Sequence, residues 1–327
     1  MIQKSRKIII FKVLNFKYLN KISAMISEDK ITTIYYIVDE FFKEFDNVLK
    51  DYALKDPKIK TRNRTSAMSQ SEVMTIMILF HYGAFKNLKH FYQGYVQRHM
   101  KKEFPVTVSY NRFVELQKKV NIPMAVFVKM MCLGKCTGIS FIDSTPIRAC
   151  HIKREKQHKT FKNIAQKGQC SLGWFYGFKL HLIINDKGEI LDFILTTGNV
   201  DDREPLKSMD LHKWIFGKLF GDKGYIGKDL FEQLFIDGVH LITKIKKNMK
   251  NSLMLLQDKI MLRKRALIES VNDELKNICQ IEHTRHRSFD NFVLNILSAL
   301  AAYSFFDKKP SINTNGDIID KDRLIAA

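Results

Sequence analysis

Apolar residues recur at helical spacing through the first 135 positions of the chain. In residues 30–50 they fall three or four positions apart, the period of one helix face, at Ile31, Ile34, Tyr35, Val38, Phe41, Phe42 and Phe45. A second helix is predicted to begin at Ser69 or Ser71, whose hydroxyl groups can cap it. The region is therefore predicted to be mostly helical, with two further helical patterns at 87–101 and 110–132.

The pattern changes near residue 135, where short apolar runs alternate with turn residues and helical segments. The short runs predict five strands, at 139–143, 174–184, 189–197, 216–221 and 239–245. Helical spacing predicts four helices between or after them, at 201–213, 228–237, 260–279 and 289–306. This order is typical of an α/β fold, in which a mixed sheet has helices packed on its faces.

A division into two domains follows from this change of pattern, and 327 residues are enough for two sizeable cores. Residues 25–135 are predicted to form a helical domain, and residues 136–307 an α/β domain. Residues 1–24 carry only a short apolar patch interrupted by lysines, and we interpret them as an extension ahead of a natural start at Met25. Residues 308–327 are polar and are predicted to form a flexible tail.

The chain is strongly basic, with 54 Lys and Arg against 34 Asp and Glu and a formal net charge of +20. Such a charge favours a polyanion such as nucleic acid as partner, although a lysine-rich proteome gives the same composition. The basic residues are concentrated at 151–167, 244–250 and 283–287. No apolar run is long enough to span a membrane. The five cysteines show no regular framework and indicate reduced thiols in a cytoplasmic protein.

Three acidic residues lie at defined points of the predicted α/β domain. Asp143 ends the first predicted strand, Asp222 follows the fourth strand in GDKGYIG, and Glu269 lies in the long helix. Separately, each has an ordinary interpretation as a strand-end cap, a turn residue or a solvated helix charge. Together they match the chemistry of Mg²⁺, which binds a few carboxylates and fills its shell with water and phosphate oxygens. Two such ions, about 3.5–4 Å apart, clamp the attacking and leaving oxygens of an in-line phosphoryl displacement.

The long predicted helix places Leu262, Arg265, Glu269 and Lys276 on one face. Its opposite face is apolar, so an amphipathic helix with a solvated polar face gives the same pattern. His181 lies in a strand pattern, and we interpret it as a packed or hydrogen-bonded histidine rather than a metal ligand.

A resemblance to a known family is carried by the segments FIDSTPIRAC, GDKGYIG and RALIESVNDELKN…HTRHRS. They closely resemble the insertion-sequence 982 family of bacterial DDE transposases, over about residues 25–307. The helix also matches the signature of the insertion-sequence 4 superfamily, which is Tyr, two residues, Arg, three residues, Glu, six residues and Lys. Arg265, Glu269 and Lys276 occupy its last three positions, whereas Leu262 stands where the signature has Tyr.

This resemblance implies an RNase H-like catalytic fold after a mostly helical DNA-binding domain. It implies that Asp143, Asp222 and Glu269 hold two Mg²⁺ ions, which Mn²⁺ can replace, and that they catalyse DNA cleavage and strand transfer. The expected substrates are double-stranded terminal inverted repeats and target DNA, bound by a homo-oligomer that is cytoplasmic and associates with the nucleoid. Lys276 is expected to contact a DNA phosphate near the metals, and Arg265 is expected either to do the same or to pair with an acid.

The basic clusters add further expected phosphate contacts, because lysine and arginine side chains release counterions when they neutralise DNA phosphates. These contacts are assigned to Lys153 and Arg154 in the first cluster and to Lys246 and Lys247 in the second. Two alternative functions stay open. One is an RNase H-like nuclease that cuts without joining, and the other is a catalytically silent DNA-binding protein derived from a transposase. The presence of all three acids favours the transposase.

Overall fold

The computed structural model describes residues 26–52, 66–171, 173–244, 254–282 and 286–312. The predicted extension 1–24, Met25, Lys246, Lys247 and most of the predicted tail lie outside the described residues. The chain divides by contacts into two compact units. In the described residues, the first unit contains 26–127, 278–282 and 290–305, and the second contains the remainder. The predicted division at 135/136 differs from these units, because residues 278–282 and 290–305 of the predicted second domain belong to the first unit.

The first unit is helical. Its longer helices are α1 (Glu28–Tyr52), α2 (Gln70–Tyr82), α3 (Tyr110–Gln117) and α4 (Asn121–Phe127). Between α2 and α3 lies a helical run with a π-helical centre, composed of Leu88–His90, Phe91–Val96 and Gln97–His99. The prediction that Ser69 caps α2 is confirmed: the Glu72 backbone N–H donates to the Ser69 hydroxyl, and the Ser69 N–H donates to the Glu72 carboxylate. No helix among the described residues is long and apolar enough to cross a bilayer.

Helix α2 is buried on nearly all sides, as expected of a helix that is apolar around its whole circumference. His81 lies in its last turn and is fully buried. Its Nδ1 donates a hydrogen bond to the carbonyl oxygen of Cys279, which fixes the neutral tautomer. Burial lowers the pKa of His81 to about 4, because desolvation penalises the imidazolium more than this hydrogen bond favours it.

We expect His81 to make the stability of the protein depend on pH. The ring stays neutral in the folded state but takes up a proton near pH 6.5 once unfolded. Stability is therefore lost as the pH falls from about 6.5 toward about 4, and this residue contributes a loss of about 2 kcal/mol between pH 7 and pH 5. Urea denaturation at both pH values should show a smaller loss for His81→Gln than for the wild type. An equal loss in both proteins would contradict the assignment.

The second unit is built on a six-stranded mixed sheet. Its strands are β1 (Ile139–Cys150), β2 (Gln166–Cys170), β3 (Gly173–Asn185), β4 (Ile190–Thr197), β5 (Gly217–Gly221) and β6 (Val239–Thr243). The order is β2-β3-β1-β5-β6, and β4 also pairs with β3. Strand β3 is antiparallel to β1, β2 and β4, whereas β1, β5 and β6 are mutually parallel. The predicted fold class is confirmed as a mixed sheet flanked by helices, with a helical region before it.

Strand β1 differs from its prediction because it continues past Asp143 to Cys150. It pairs with β3 along this whole length, but its parallel pairing with β5 ends at Phe141. The sequence Ser-Thr-Pro after Asp143 suggests a strand end, because proline cannot donate a backbone hydrogen bond. Proline is tolerated in a strand where one edge has no partner, and among the described residues no strand pairs with β1 on its β5 side at Pro146. The residues after Asp143 therefore form an open strand edge.

The helices of the second unit are α5 (Glu204–Ser208), α6 (Lys228–Ile236), α7 (Leu256–Lys264) and α8 (Ala266–Asp273). Helix α5 is much shorter than the predicted 201–213, because Asp210 has a left-handed backbone that a helix cannot continue through. The predicted helix 260–279 has a turn at Arg265 between α7 and α8 and ends in a π-helical segment, Glu274–Ile278. The last helix, α9 (Phe289–Ser304), lies close to its predicted bounds.

Candidate active site

Asp143 in β1 and Asp222, the residue after β5, lie at equivalent distances from the end of the parallel pairing between these strands. The last parallel pair between β1 and β5 is Phe141 and Phe220, and each aspartate lies two residues beyond its member of that pair. Ligands of α/β sheets commonly bind outside the carboxyl ends of parallel strands. Asp222 also caps the short turn that follows it, because its Oδ1 accepts a hydrogen bond from the Gly224 N–H at 2.8 Å.

Helix α8 brings Glu269 to the same site through a shared basic partner. The Arg265 Nη2 lies 2.8 Å from Glu269 Oε1, and its Nη1 lies 3.6 Å from Asp143 Oδ1. The Asn272 amide donates to Asp143 Oδ2 at 3.2 Å. The carboxylate of Asp143 is therefore held at both oxygens by side chains spaced two helical turns apart.

A cleft of about 570 Å³ contains these groups. It is lined by all three predicted acids, and by both residues of the helix signature, Arg265 and Lys276. The cleft thus brings together three segments of the chain, at Asp143, at Asp222 and at 265–276.

The electrostatics of the cleft favour a cation. The pKa of Asp143 is raised to about 6, chiefly because burial desolvates its carboxylate. Arg265 opposes this shift, whereas the negative charges of Asp222 and Glu269 raise the pKa of Asp143 further. Both other acids therefore act on Asp143 electrostatically, and Arg265 offsets only part of the rise in its pKa.

The donor set fits a hard divalent cation such as Mg²⁺, because it consists of carboxylate oxygens beside space for water and phosphate. Within the described ranges, however, no three histidine, cysteine or acidic side chains already stand together at metal-binding distances. Arg265 accounts for part of this separation, since it lies against both Asp143 and Glu269. The chemistry of a metal site is present without a preassembled ligand shell.

Five further residues of the cleft were not identified from the sequence. Asp202 Oδ1 accepts hydrogen bonds from Ser144 Oγ at 2.8 Å and from Lys179 Nζ at 2.9 Å, and these contacts tie β1, β3 and the segment after β4 together. The Tyr225 hydroxyl is buried and has no hydrogen-bond partner among the described residues. Of these residues, Asn272 could have been identified from the sequence, because it lies three positions after Glu269 on the same helix face.

The other predicted contact residues are placed differently. Lys153 and Arg154 are exposed on a short 3₁₀ segment, Ile152–Gln157, and do not line the cleft. Leu262, at the signature's tyrosine position, is buried in the apolar core. His181 is buried and hydrogen-bonded to Thr196 Oγ1 at 2.9 Å, which confirms its interpretation as a packed histidine.

Comparison with known proteins gives a family match for this part of the chain. Residues 133–289 match the family model described as a transposase DDE domain, a span that includes all three acids. This match supports a DDE transposase. No curated protein matches the sequence. Among solved structures, a piggyBac transposase in a synaptic complex with hairpin DNA is similar, with 9% identity, a TM-score of 0.43, and coverage of 90% of this chain and 77% of that chain.

Proposed function

We propose that this protein is a DDE transposase of the insertion-sequence 982 type, which cleaves the ends of a bacterial insertion sequence and joins them to target DNA. The observation that carries the proposal is the convergence of Asp143, Asp222 and Glu269 on one cleft within a segment that matches a transposase DDE domain. The net charge of +20 supports DNA as the partner.

In the proposed reaction, the side chains bind and orient the reacting groups and form no covalent bond with DNA. When bound, two Mg²⁺ ions, replaceable by Mn²⁺, supply charge at the phosphate and lower the pKa of a water nucleophile. Asp143, Asp222 and Glu269 hold them, and Asn272 fixes the orientation of the Asp143 carboxylate. Hydrolysis at the element's end frees a 3′-hydroxyl, which then displaces a 3′-oxygen of the target strand in the same cleft.

Basic residues position the DNA around this cleft. Lys276 lines the cleft and contacts a phosphate near the reacting bond, as does Arg265. Lys153 and Arg154, exposed on their 3₁₀ segment, extend the contact along the backbone, together with the proposed contacts at Lys246 and Lys247. The predicted helical domain, residues 25–135, reads the terminal repeats, and a homo-oligomer holds two ends.

Cleavage and joining assays on duplexes that carry the ends of the encoding element test this function. The full chain is compared in Mg²⁺, in Mn²⁺ and in EDTA, and binding is followed separately by electrophoretic mobility shift. We expect binding, cleavage and joining, with the last two abolished by EDTA. Metal-dependent cleavage without joining favours the nuclease alternative. Binding without any chemistry in either metal favours the silent DNA-binding protein and overturns the enzyme.

A further inference from the structure

Arg265 contacts two of the three acids through different nitrogens of one guanidinium group. Its Nη2 lies 2.8 Å from Glu269 Oε1, and its Nη1 lies 3.6 Å from Asp143 Oδ1. The Arg265 side chain is only 19% exposed, and it lines the same cleft as both carboxylates. These are two of the three carboxylates that would hold a divalent cation in the proposed function.

We propose that Arg265 competes with the divalent cation for Asp143 and Glu269, and that it exchanges these carboxylates for a DNA phosphate when metal and DNA bind together. This inference rests on the proposed function, because it concerns the metal and DNA of the same cleft. It assigns Arg265 a second task beyond phosphate contact, namely to keep metal affinity low while DNA is absent.

The arrangement of the guanidinium supports an exchange rather than a permanent structural pair. Arg265 Nη1 is buried, yet it makes no hydrogen bond to any group in the part of the chain that the structure describes. A buried donor without an acceptor is unfavourable, so the contact with Asp143 leaves part of the hydrogen-bonding capacity of Arg265 unused. A phosphate offers bidentate acceptors that match the guanidinium fork.

Asn272 allows Arg265 to leave without releasing Asp143. Its amide donates to Oδ2 of Asp143, whereas Arg265 lies against Oδ1. When Arg265 moves to a phosphate, the carboxylate keeps its orientation, and Oδ1 becomes available to a cation.

Reciprocal coupling between metal and DNA follows from this exchange. If a phosphate draws Arg265 away, DNA raises the affinity for the cation, and the cation must raise the affinity for DNA by the same factor. The coupling passes through one side chain, so removal of that side chain should remove most of it.

Arg265→Met tests the proposal, since methionine keeps an unbranched apolar side chain without the charge. Mn²⁺ binding to the full chain without DNA is measured by isothermal titration calorimetry, and we expect Arg265→Met to bind about tenfold more tightly than the wild type, a difference of about 1.4 kcal/mol. Arg263→Met is the matched control, because Arg263 is exposed on α7 and its loss removes the same charge two residues away. The control should change Mn²⁺ affinity by less than about twofold.

A second measurement keeps the proposal testable if Arg265→Met fails to fold. In the wild type, Mn²⁺ affinity is compared with and without a duplex that carries the element's end, and a gain of about tenfold supports the exchange. Unchanged or weaker Mn²⁺ binding in folded Arg265→Met, or no effect of DNA in the wild type, overturns the inference but not the proposed function. Absence of Mn²⁺ binding by the wild type in both conditions overturns both.

Discussion

Asp222→Asn is expected to reduce DNA cleavage and joining by at least about 10³-fold while leaving DNA binding in place. The substitution removes a negative charge from the cleft but keeps an oxygen at the same position. That oxygen can still accept the Gly224 N–H hydrogen bond that caps the turn after β5. The fold is therefore preserved, and the loss reports the chemical role of the carboxylate.

Asp229→Asn provides the control for this experiment. Asp229 is exposed in the first turn of α6 and lies outside the cleft, so its substitution removes the same charge without touching the reacting groups. Cleavage and joining should stay within about twofold of the wild type, since exposed charges at a distance are largely screened. Retention of more than a tenth of the activity in Asp222→Asn would exclude Asp222 from the catalytic centre.

Phe220→Ala is expected to destabilise the protein by about 3–5 kcal/mol, the usual cost of truncating a fully buried phenylalanine. Phe220 is fully buried in β5 and its ring lies 5.6 Å from that of Phe141 in β1, at an interplanar angle of 29°. These two residues form the last parallel pair before the aspartates. The loss should appear as a lower midpoint in urea denaturation followed by circular dichroism.

Phe216→Ala is the matched control, because Phe216 is 59% exposed just before the same strand. Its truncation should cost less than about 0.5 kcal/mol, as for other surface substitutions. If both variants unfold at the same urea concentration, the Phe141–Phe220 pair does not support the site. At temperatures where Phe220→Ala remains folded, we expect reduced cleavage, since Asp222 lies only two residues further on.

The elements best predicted from the sequence are those whose signal is local. Helical spacing identified α1 and α9 closely, and the apolar runs 174–184 and 189–197 identified β3 and β4. Asp222 lies directly after β5, as predicted, because Gly and Asp residues mark the turn locally, whereas Asp143 lies within β1 and not at its end. Such features depend on periodicity and turn chemistry within a few residues.

The parts that were missed depend on contacts between distant residues. In the sequence, Pro146 suggests a strand end. The strand continues because β5 stops pairing with β1 at Phe141, so Pro146 lies where that edge of β1 needs no backbone donor. The bond from Asn272 to Asp143 joins residues 129 positions apart, and that from Ser144 to Asp202 spans 58. Both depend on tertiary packing, which no local pattern of apolar and polar residues records.

The late return of the chain to the first unit limits how proteins with this fold could exchange parts by recombination. Residues 278–282 and 290–305 complete a unit that otherwise ends at Phe127. A single crossover near residue 135 would join the helical region of one protein to the helix α9 of another. Most of α9 is buried and belongs to the first unit, together with that helical region. A helical region exchanged as one N-terminal block would therefore have to be compatible with α9, so the two segments are expected to change together during evolution.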